Sequence, residues 1–193
     1  MKELLTIDAL IKAAKEFCES MSKMNHTTLQ GITDGKAVGT YVEHKFQEYL
    51  TSKYTLQVGN SARGIDLPGE NITTDIKVTS ITQPQSSCPF KSARQKIFGL
   101  GYNLLVFVYS KQDTDTSCTL RFMYCTFIES KRTADYTITK RLREMVDDGA
   151  NEEDIIGYLQ DRNVPGDEIV YSDLAREILD NKPAQGYLTL NFH

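Results

Sequence analysis

The segment GIDLPGENITTDIKVTS, residues 64–80, constrains the fold more than any other stretch because it places charged side chains in a β-patterned run. Side chains alternate along a strand, so Asp75 and Lys77 share one face while Ile76 and Val78 share the other. An ionised group is rarely buried without a partner, since its desolvation costs several kcal/mol. We therefore expect the charged side chains of this segment to have charged partners.

The spacing of an acid two residues before a lysine is uninformative alone, because the chain contains it five times. The 75/77 pair differs in context, since only this pair lies inside a strongly β-patterned run. The alternative interpretation is a surface ion pair on an exposed strand face, which contributes less than about 1 kcal/mol.

The turn composition at 68–71, Pro-Gly-Glu-Asn, predicts a hairpin before this strand. With the loop at those four residues, Asp66 pairs with Thr73 and lies diagonally from Asp75 on the same face, about 7–8 Å away. Two carboxylates at that separation can converge on one cation, which offsets their mutual repulsion. Alternatively, Asp66 anchors the turn through its side chain.

A metal site with an adjacent lysine follows from this register. Asp66, Asp75, the main-chain carbonyl of Ile76 and waters are hard oxygen ligands, which suit Mg²⁺ or Mn²⁺ and suit zinc poorly. Mg²⁺ bound through few protein groups usually handles phosphate. From Ile76 to Gln112 the chain has no acid but five basic residues, which indicates phosphodiester chemistry on a polyanion.

Composition excludes several other classes of protein. The net charge of −4 argues against a protein that coats nucleic acid non-specifically. Four cysteines without a CxxC pair and three scattered histidines argue against structural zinc. No apolar run approaches the ~20 residues that span a bilayer, and the N-terminus lacks a signal-peptide core, so we expect a cytoplasmic protein without membrane contact.

Hydrophobic periodicity predicts an α/β domain with a central sheet. The expected helices cover 7–23, 36–52, 88–98, 134–147, 151–162 and 172–180, and the expected strands cover 54–59, 62–66, 71–81, 103–110, 119–128 and 187–192. No linker or repeat interrupts the pattern, which favours a single domain over 1–193.

On these residues the sequence resembles the PD-(D/E)xK nucleases, whose best-known members are type II restriction endonucleases. The core of that family runs α-β-β-β-α-β, the order predicted here from about 36 to 110. The resemblance implies a restriction-endonuclease-like catalytic core over about 36–128, with a mixed central sheet flanked by helices. A helical C-terminal extension would follow over about 134–193.

The resemblance also implies roles for individual residues. Asp66 and Asp75 would be the metal-binding carboxylates, and Lys77 would orient or activate the attacking water. Glu43, from the helix before the three strands, would be an additional catalytic and metal-binding acid. The sequence departs from the common pattern because Ile65, rather than a proline, precedes the first acid.

The expected function is therefore a Mg²⁺-dependent type II restriction endonuclease, with Mn²⁺ as a substitute metal. It would hydrolyse phosphodiester bonds of double-stranded DNA at a short specific site, leaving a 5′-phosphate and a 3′-hydroxyl. A homodimer would match a palindromic site by its two-fold symmetry. The alternatives are a DNA repair or junction-resolving nuclease of the same fold and a non-catalytic DNA-binding or protein-interaction module.

Two neighbouring segments are candidates for DNA contact. Glutamine can read adenine edges and serine is adaptable, so the loop after the charged strand is expected to contact bases through Gln83, Gln85, Ser86 and Ser87. The following short helix is expected to contact phosphates through Lys91, Arg94 and Lys96. A generic polar loop and a solvated helix face are the alternatives.

Overall fold

The computed structural model describes residues 2–56, 64–83 and 90–188 of the 193-residue chain. It is an α/β structure whose mixed three-stranded sheet is flanked by helices, which is compatible with a restriction-endonuclease-like core. The helices are α1 Ile7–Met21, α2 Gly35–Lys53, α3 Ala93–Phe98, α4 Tyr136–Asp147, α5 Glu152–Asp161 and α6 Glu168–Asp180. The strands are β1 Glu3–Leu4, β2 Tyr54–Thr55, β3 Thr74–Ser80, β4 Asn103–Asp113 and β5 Cys118–Ile128.

The chain divides into two compact units. Unit 1 comprises Met1–Ser86 and Asn103–Phe127, and unit 2 comprises Ser87–Tyr102 and Ile128–His193. The single domain and the helical C-terminal extension expected from the sequence stay predictions. Among the helices of the described segments, none is both long and apolar enough to cross a membrane.

The sheet of unit 1 has β4 at its centre, between β3 and β5. β3 and β4 run parallel, with Asp75 beside Leu104 and Lys77 beside Val106. The central position of β4 explains its continuous apolar run, which is typical of a strand covered on both faces. β1 and β2 form a separate parallel pair that sequence analysis did not predict.

The core of unit 1 lies on the face of the sheet that carries Ile76. Phe17 of α1, Phe46 of α2 and Phe107 of β4 contact one another there, with ring centroids 5.0–5.9 Å apart. Such aromatic contacts add stability beyond their buried area. Because side chains alternate along β3, Asp75 and its neighbour Lys77 leave the strand on the opposite face from this core.

The starts of α1, α2 and α5 agree with the sequence analysis. Thr6 caps α1 by accepting a hydrogen bond from the amide of Ala9. Asp34 caps α2 in the same way, and Asn151 opens α5 with a complete capping box. Each cap satisfies amides that the first helical turn leaves unpaired.

Two other helix starts were predicted wrongly. α3 begins after Ser92, whose hydroxyl accepts from the amide of Gln95. Residues 90–92 are therefore not helical, which corrects that part of the 88–98 prediction, and 88–89 lie outside the described residues. α6 begins at Glu168, four residues before its predicted start at 172, because Asp167 caps it by accepting a hydrogen bond from the amide of Val170. A competing cap nearby in sequence decides both boundaries.

The remaining strand predictions fall partly outside the described residues. β2 occupies only Tyr54–Thr55 of the strand predicted over 54–59, and 57–63 lie outside the described residues. Residues 64–66 are described and are not a strand, which corrects that part of the 62–66 prediction. At the C-terminus, Leu188 bridges to Asp135, and 189–193 lie outside the described residues.

Unit 2 is built around its own apolar cluster. Buried side chains from α3, α4, α5 and α6 form it, including Ile97, Leu142, Ile155, Leu159 and Ile178. The helical period of the apolar residues accounts for this packing.

Candidate active site

The hairpin before β3 has a different register from the predicted one. Leu67 and Thr74 form an antiparallel bridge, with amide-to-carbonyl distances of 3.0 and 2.9 Å in the two directions. Asp66 therefore lies opposite Asp75, and its predicted pairing with Thr73 is wrong. A shift of two residues keeps every side chain on its face, so both carboxylates still share one face.

The loop is longer than predicted because the carbonyl of Gly69 closes it. That carbonyl accepts hydrogen bonds from the amides of Ile72 and Thr73 at 3.0 and 2.7 Å, and from the Thr73 hydroxyl at 3.0 Å. These bonds hold Ile72 and Thr73 inside the loop, so strand pairing starts at Thr74.

The carboxyl groups of Asp66 and Asp75 come close enough at this point for each to shift the pKa of the other. Asp75 is only 5% exposed, and burial, reinforced by the Asp66 carboxylate, raises its pKa to about 6. Burial also raises the pKa of Asp66, although the amide of Ile76 donates to Asp66 Oδ2 at 2.7 Å. Two carboxyls this close resist being ionised together.

Lys77 pairs with the more buried carboxylate. Its Nζ lies 2.7 Å from Oδ2 of Asp75, and its side chain is 34% exposed against 7% for Asp75. The lysine lowers the pKa of Asp75, but burial and Asp66 outweigh it. The ammonium is thus held at the carboxylate pair while part of it stays open to solvent.

Glu43 approaches the pair from α2, which packs on β3. It is half-buried, and after burial its negative charge is a further cause that raises the pKa of Asp66. Gln47, one helical turn later, donates to Glu43 Oε1 at 3.5 Å. Sequence analysis missed Gln47 as a partner, although its i,i+4 spacing is a readable signal.

The site fits a hard divalent cation through few protein ligands. Within the described segments, no three His, Cys, Asp or Glu side chains converge as a metal-binding group. The candidate donors are therefore Asp66, Asp75 and the carbonyl of Ile76, which faces the same strand edge as the Ile76 amide bound to Asp66. The two desolvated carboxyl groups carry more negative charge than the neighbouring lysine can neutralise. Hard oxygen donors of this kind suit Mg²⁺ or Mn²⁺.

The residues that were predicted to contact DNA differ in their exposure to solvent and in their bonding partners. Gln83 is exposed just beyond β3, and Lys91 is exposed before α3. Arg94 is bound to both carboxylate oxygens of Glu177 at 2.7 and 2.8 Å, and Lys96 is buried at 8% exposure. Both observations favour a role for these two side chains within unit 2. Gln85, Ser86 and Ser87 lie outside the described residues.

Comparison with known proteins gives two matches. A family model described as "Type II restriction enzyme NspV" matches residues 4–192. The type II restriction enzyme NspV of Nostoc sp. (strain ATCC 29411 / PCC 7524) is 50% identical over 190 residues, which cover 97% of this chain and 86% of the relative. No solved structure matches significantly.

Proposed function

The chain belongs to the family of type II restriction enzymes represented by NspV, and from that premise we propose that Asp66, Asp75 and Lys77 form its catalytic centre. The family membership makes the chain a site-specific deoxyribonuclease. The observation that carries the proposal is the opposition of two desolvated carboxyls with a lysine ammonium 2.7 Å from one of them. The repair-nuclease and non-catalytic alternatives have no comparable support.

Asp66, Asp75 and the Ile76 carbonyl would hold Mg²⁺, with Mn²⁺ as a substitute. When bound, the cation would supply positive charge to the scissile phosphate and lower the pKa of a water molecule. The folded chain prepares for it by holding both carboxylates in place: the amide of Ile76 fixes Asp66, and Lys77 fixes Asp75.

Lys77 would position the attacking water and stabilise the charge that develops on the phosphate oxygens. The water oxygen would form a bond to phosphorus and release a proton to solvent, and the bond from phosphorus to the 3′ oxygen would break as that oxygen takes up a proton, which leaves a 5′-phosphate and a 3′-hydroxyl. Because Asp75 orients the ammonium, the lysine reaches the reacting atoms with little reorganisation.

Glu43 would act on this centre through Asp66, whose pKa it raises. It is a positioning residue in this proposal, and a weaker determinant of rate than the three residues of the centre. Double-stranded DNA is the proposed substrate, and a homodimer would present two such centres to the two strands of a palindrome.

The test is cleavage of methylation-free genomic DNA with Mg²⁺, followed by sequencing of the fragment ends. The wild-type protein is expected to give discrete fragments that share a short sequence. Asp75→Asn and Lys77→Ala should each lower the cleavage rate by about a hundredfold or more, the usual effect of losing a preorganised catalytic group.

The matched control is Glu129→Gln. Glu129 also pairs with a lysine two residues later, at 3.0 Å, but both side chains are largely exposed. Its loss should leave the rate unchanged. Full activity of Asp75→Asn or Lys77→Ala would remove these residues from the catalytic centre, and a wild-type protein that produces no fragments would contradict the function itself.

A further inference from the structure

Unit 1 contains two thiols that the proposed mechanism does not use. Cys18 lies on α1 and is only 8% exposed, and Cys125 lies on β5 and is half-buried. Both pack in the same apolar core, which includes Phe17 and Phe107. Each of the two cysteines is a free thiol. Two free thiols that share one core can form a disulfide if the elements that carry them bring the sulfurs together.

The contacts between α1 and β5 align the two elements in opposite directions. The amide of Cys118 donates to Oδ1 of Asn25 at 2.9 Å, just after the helix. Further along the strand, the amide of Phe122 donates to Oγ of Ser22 at 3.1 Å, at the end of the helix. The two free thiols continue this series, because one lies a helical turn before Ser22 and the other lies three strand residues after Phe122.

A break in the alternation of β5 turns Cys125 toward the core. Leu120 and Phe122 pack on the core from every second position of the strand. Met123 and Tyr124 are then both exposed, at 41% and 61%, and the next residue packs on the core again. An extra residue in a strand, as in a β-bulge, changes the face in this way. Regular alternation would instead have placed the Cys125 thiol on the face away from α1.

The two thiols differ in acidity and are close enough for each to shift the pKa of the other. Cys125 raises the pKa of Cys18, and burial adds to that effect. Cys18 in turn lowers the pKa of Cys125, with help from the Lys15 ammonium and against the effect of burial. Oxidants attack the thiolate, and an accessible thiolate beside a second thiol is typical of redox-sensitive cysteines. Cys125 is therefore the thiol that reacts first.

We propose that Cys18 and Cys125 are a peroxide-sensitive modification site, at which oxidation forms a disulfide between α1 and β5. The Cys125 thiolate attacks one oxygen of hydrogen peroxide, the O–O bond breaks, and one proton is taken up, which gives a sulfenic acid and water. The Cys18 sulfur then attacks the sulfenic sulfur, and the hydroxyl leaves with the Cys18 proton as a second water. Two thiols are thus oxidised to one disulfide while one peroxide is reduced to two waters. An added dithiol reverses the oxidation by exchange.

The disulfide has a consequence for the stability of the chain. It closes a loop of roughly a hundred residues, which restricts the unfolded chain and so favours the folded one. The oxidised protein should therefore melt about 5–15 °C above the reduced protein. The inference is independent of the proposed function, because neither thiol belongs to the proposed catalytic centre.

The first test treats the reduced wild-type protein with hydrogen peroxide, blocks the remaining thiols with iodoacetamide and maps the peptides without reduction. The expected product is one peptide pair joined through Cys18 and Cys125, with a raised melting temperature that a dithiol returns to its starting value. A disulfide through Cys88 or Cys118, a disulfide between two chains, or oxidation that leaves both thiols open to iodoacetamide would overturn the proposal.

The second test compares Cys125→Ser with the matched control Cys118→Ser. Cys118 is a buried thiol on the same strand, but burial, Asp113 and Lys111 account for the shift of its pKa, and none of these is a second thiol. Cys125→Ser should form no disulfide, and peroxide should leave its melting temperature unchanged. Cys118→Ser should form the same disulfide as the wild-type protein and show the same rise. An equal response of the two variants to peroxide would overturn the proposal.

Discussion

Ionisation of Asp75 destabilises the folded protein, and a bound cation can offset that penalty. Burial and the neighbouring Asp66 raise its pKa to about 6, against 3.8 in an exposed carboxyl. A buried carboxylate pair of this kind is a poor choice for stability alone, since apolar residues of similar volume would cost less. The pair is better explained as a site that trades stability for binding.

The first prediction concerns the pH dependence of stability without metal. Because the pKa of Asp75 is raised on folding, its protonated form stabilises the fold fully below pH 3.8, and this contribution disappears as pH rises through about 6. Asp75→Asn lacks the carboxylate, so its melting temperature in EDTA should exceed that of the wild-type protein above pH 6. The difference should vanish in acid, as measured by thermal melts from pH 4 to 8.

The second prediction separates Glu43 from the two aspartates. Glu43 raises the pKa of Asp66, so Glu43→Gln should lower that pKa and move the acidic limb of the cleavage pH profile to lower pH. Its rate at pH 8 should fall less than that of Asp66→Asn. An unmoved acidic limb, with the rate reduced at every pH, would instead show that Glu43 contacts the reacting groups directly.

The packing of the α2 helix on the β3 strand determines how closely Glu43 approaches Asp66. At Gly39 a Cβ would lie 3.8 Å from Cβ of Val78, which is ordinary van der Waals contact. One methyl group therefore fits there, and a larger side chain has the β3 strand directly beside it. The size of the side chain at position 39 therefore affects how closely α2 can pack on β3.

The third prediction follows from that contact. Gly39→Ala should stabilise the protein by up to about 1 kcal/mol, through helix propensity, and should leave cleavage unchanged. Gly39→Leu should force α2 away from β3 and lower both stability and cleavage. Urea unfolding and cleavage rates measure the two effects. Equal behaviour of the two variants would mean that the interface adjusts freely.

Elements that are determined by residues close together in the chain could be predicted from the sequence. The starts of α1 and α5 and the central strand β4 could be predicted from residue type and hydrophobic period. The register of the hairpin could not, because it depends on hydrogen bonds to the carbonyl of Gly69, which no residue pattern specifies. The shared face of the two aspartates was predictable nonetheless, since a two-residue shift preserves it.

The features that could not be predicted from the sequence depend on contacts between residues that lie far apart along the chain. The parallel pairing of β1 with β2 joins residues about fifty positions apart, and both strands are too short to show a period. The burial of Lys96 in unit 2 has the same origin, since a lysine on a short helix is usually solvated. Tertiary packing decides both features, and local propensity gives no sign of either.

The last prediction links the carboxylate pair to global stability. A ligand that binds only the folded state stabilises it by RT ln(1 + [L]/Kd), about 2.7 kcal/mol at a hundred times the Kd. Mg²⁺ should therefore raise the melting temperature of the wild-type protein in the absence of DNA, and more at pH 8 than at pH 5, where protons compete for Asp75. Glu129→Gln should show the full shift and Asp75→Asn little or none. An equal shift in all three proteins would place the bound cation elsewhere, because the two aspartates would then contribute nothing to its affinity.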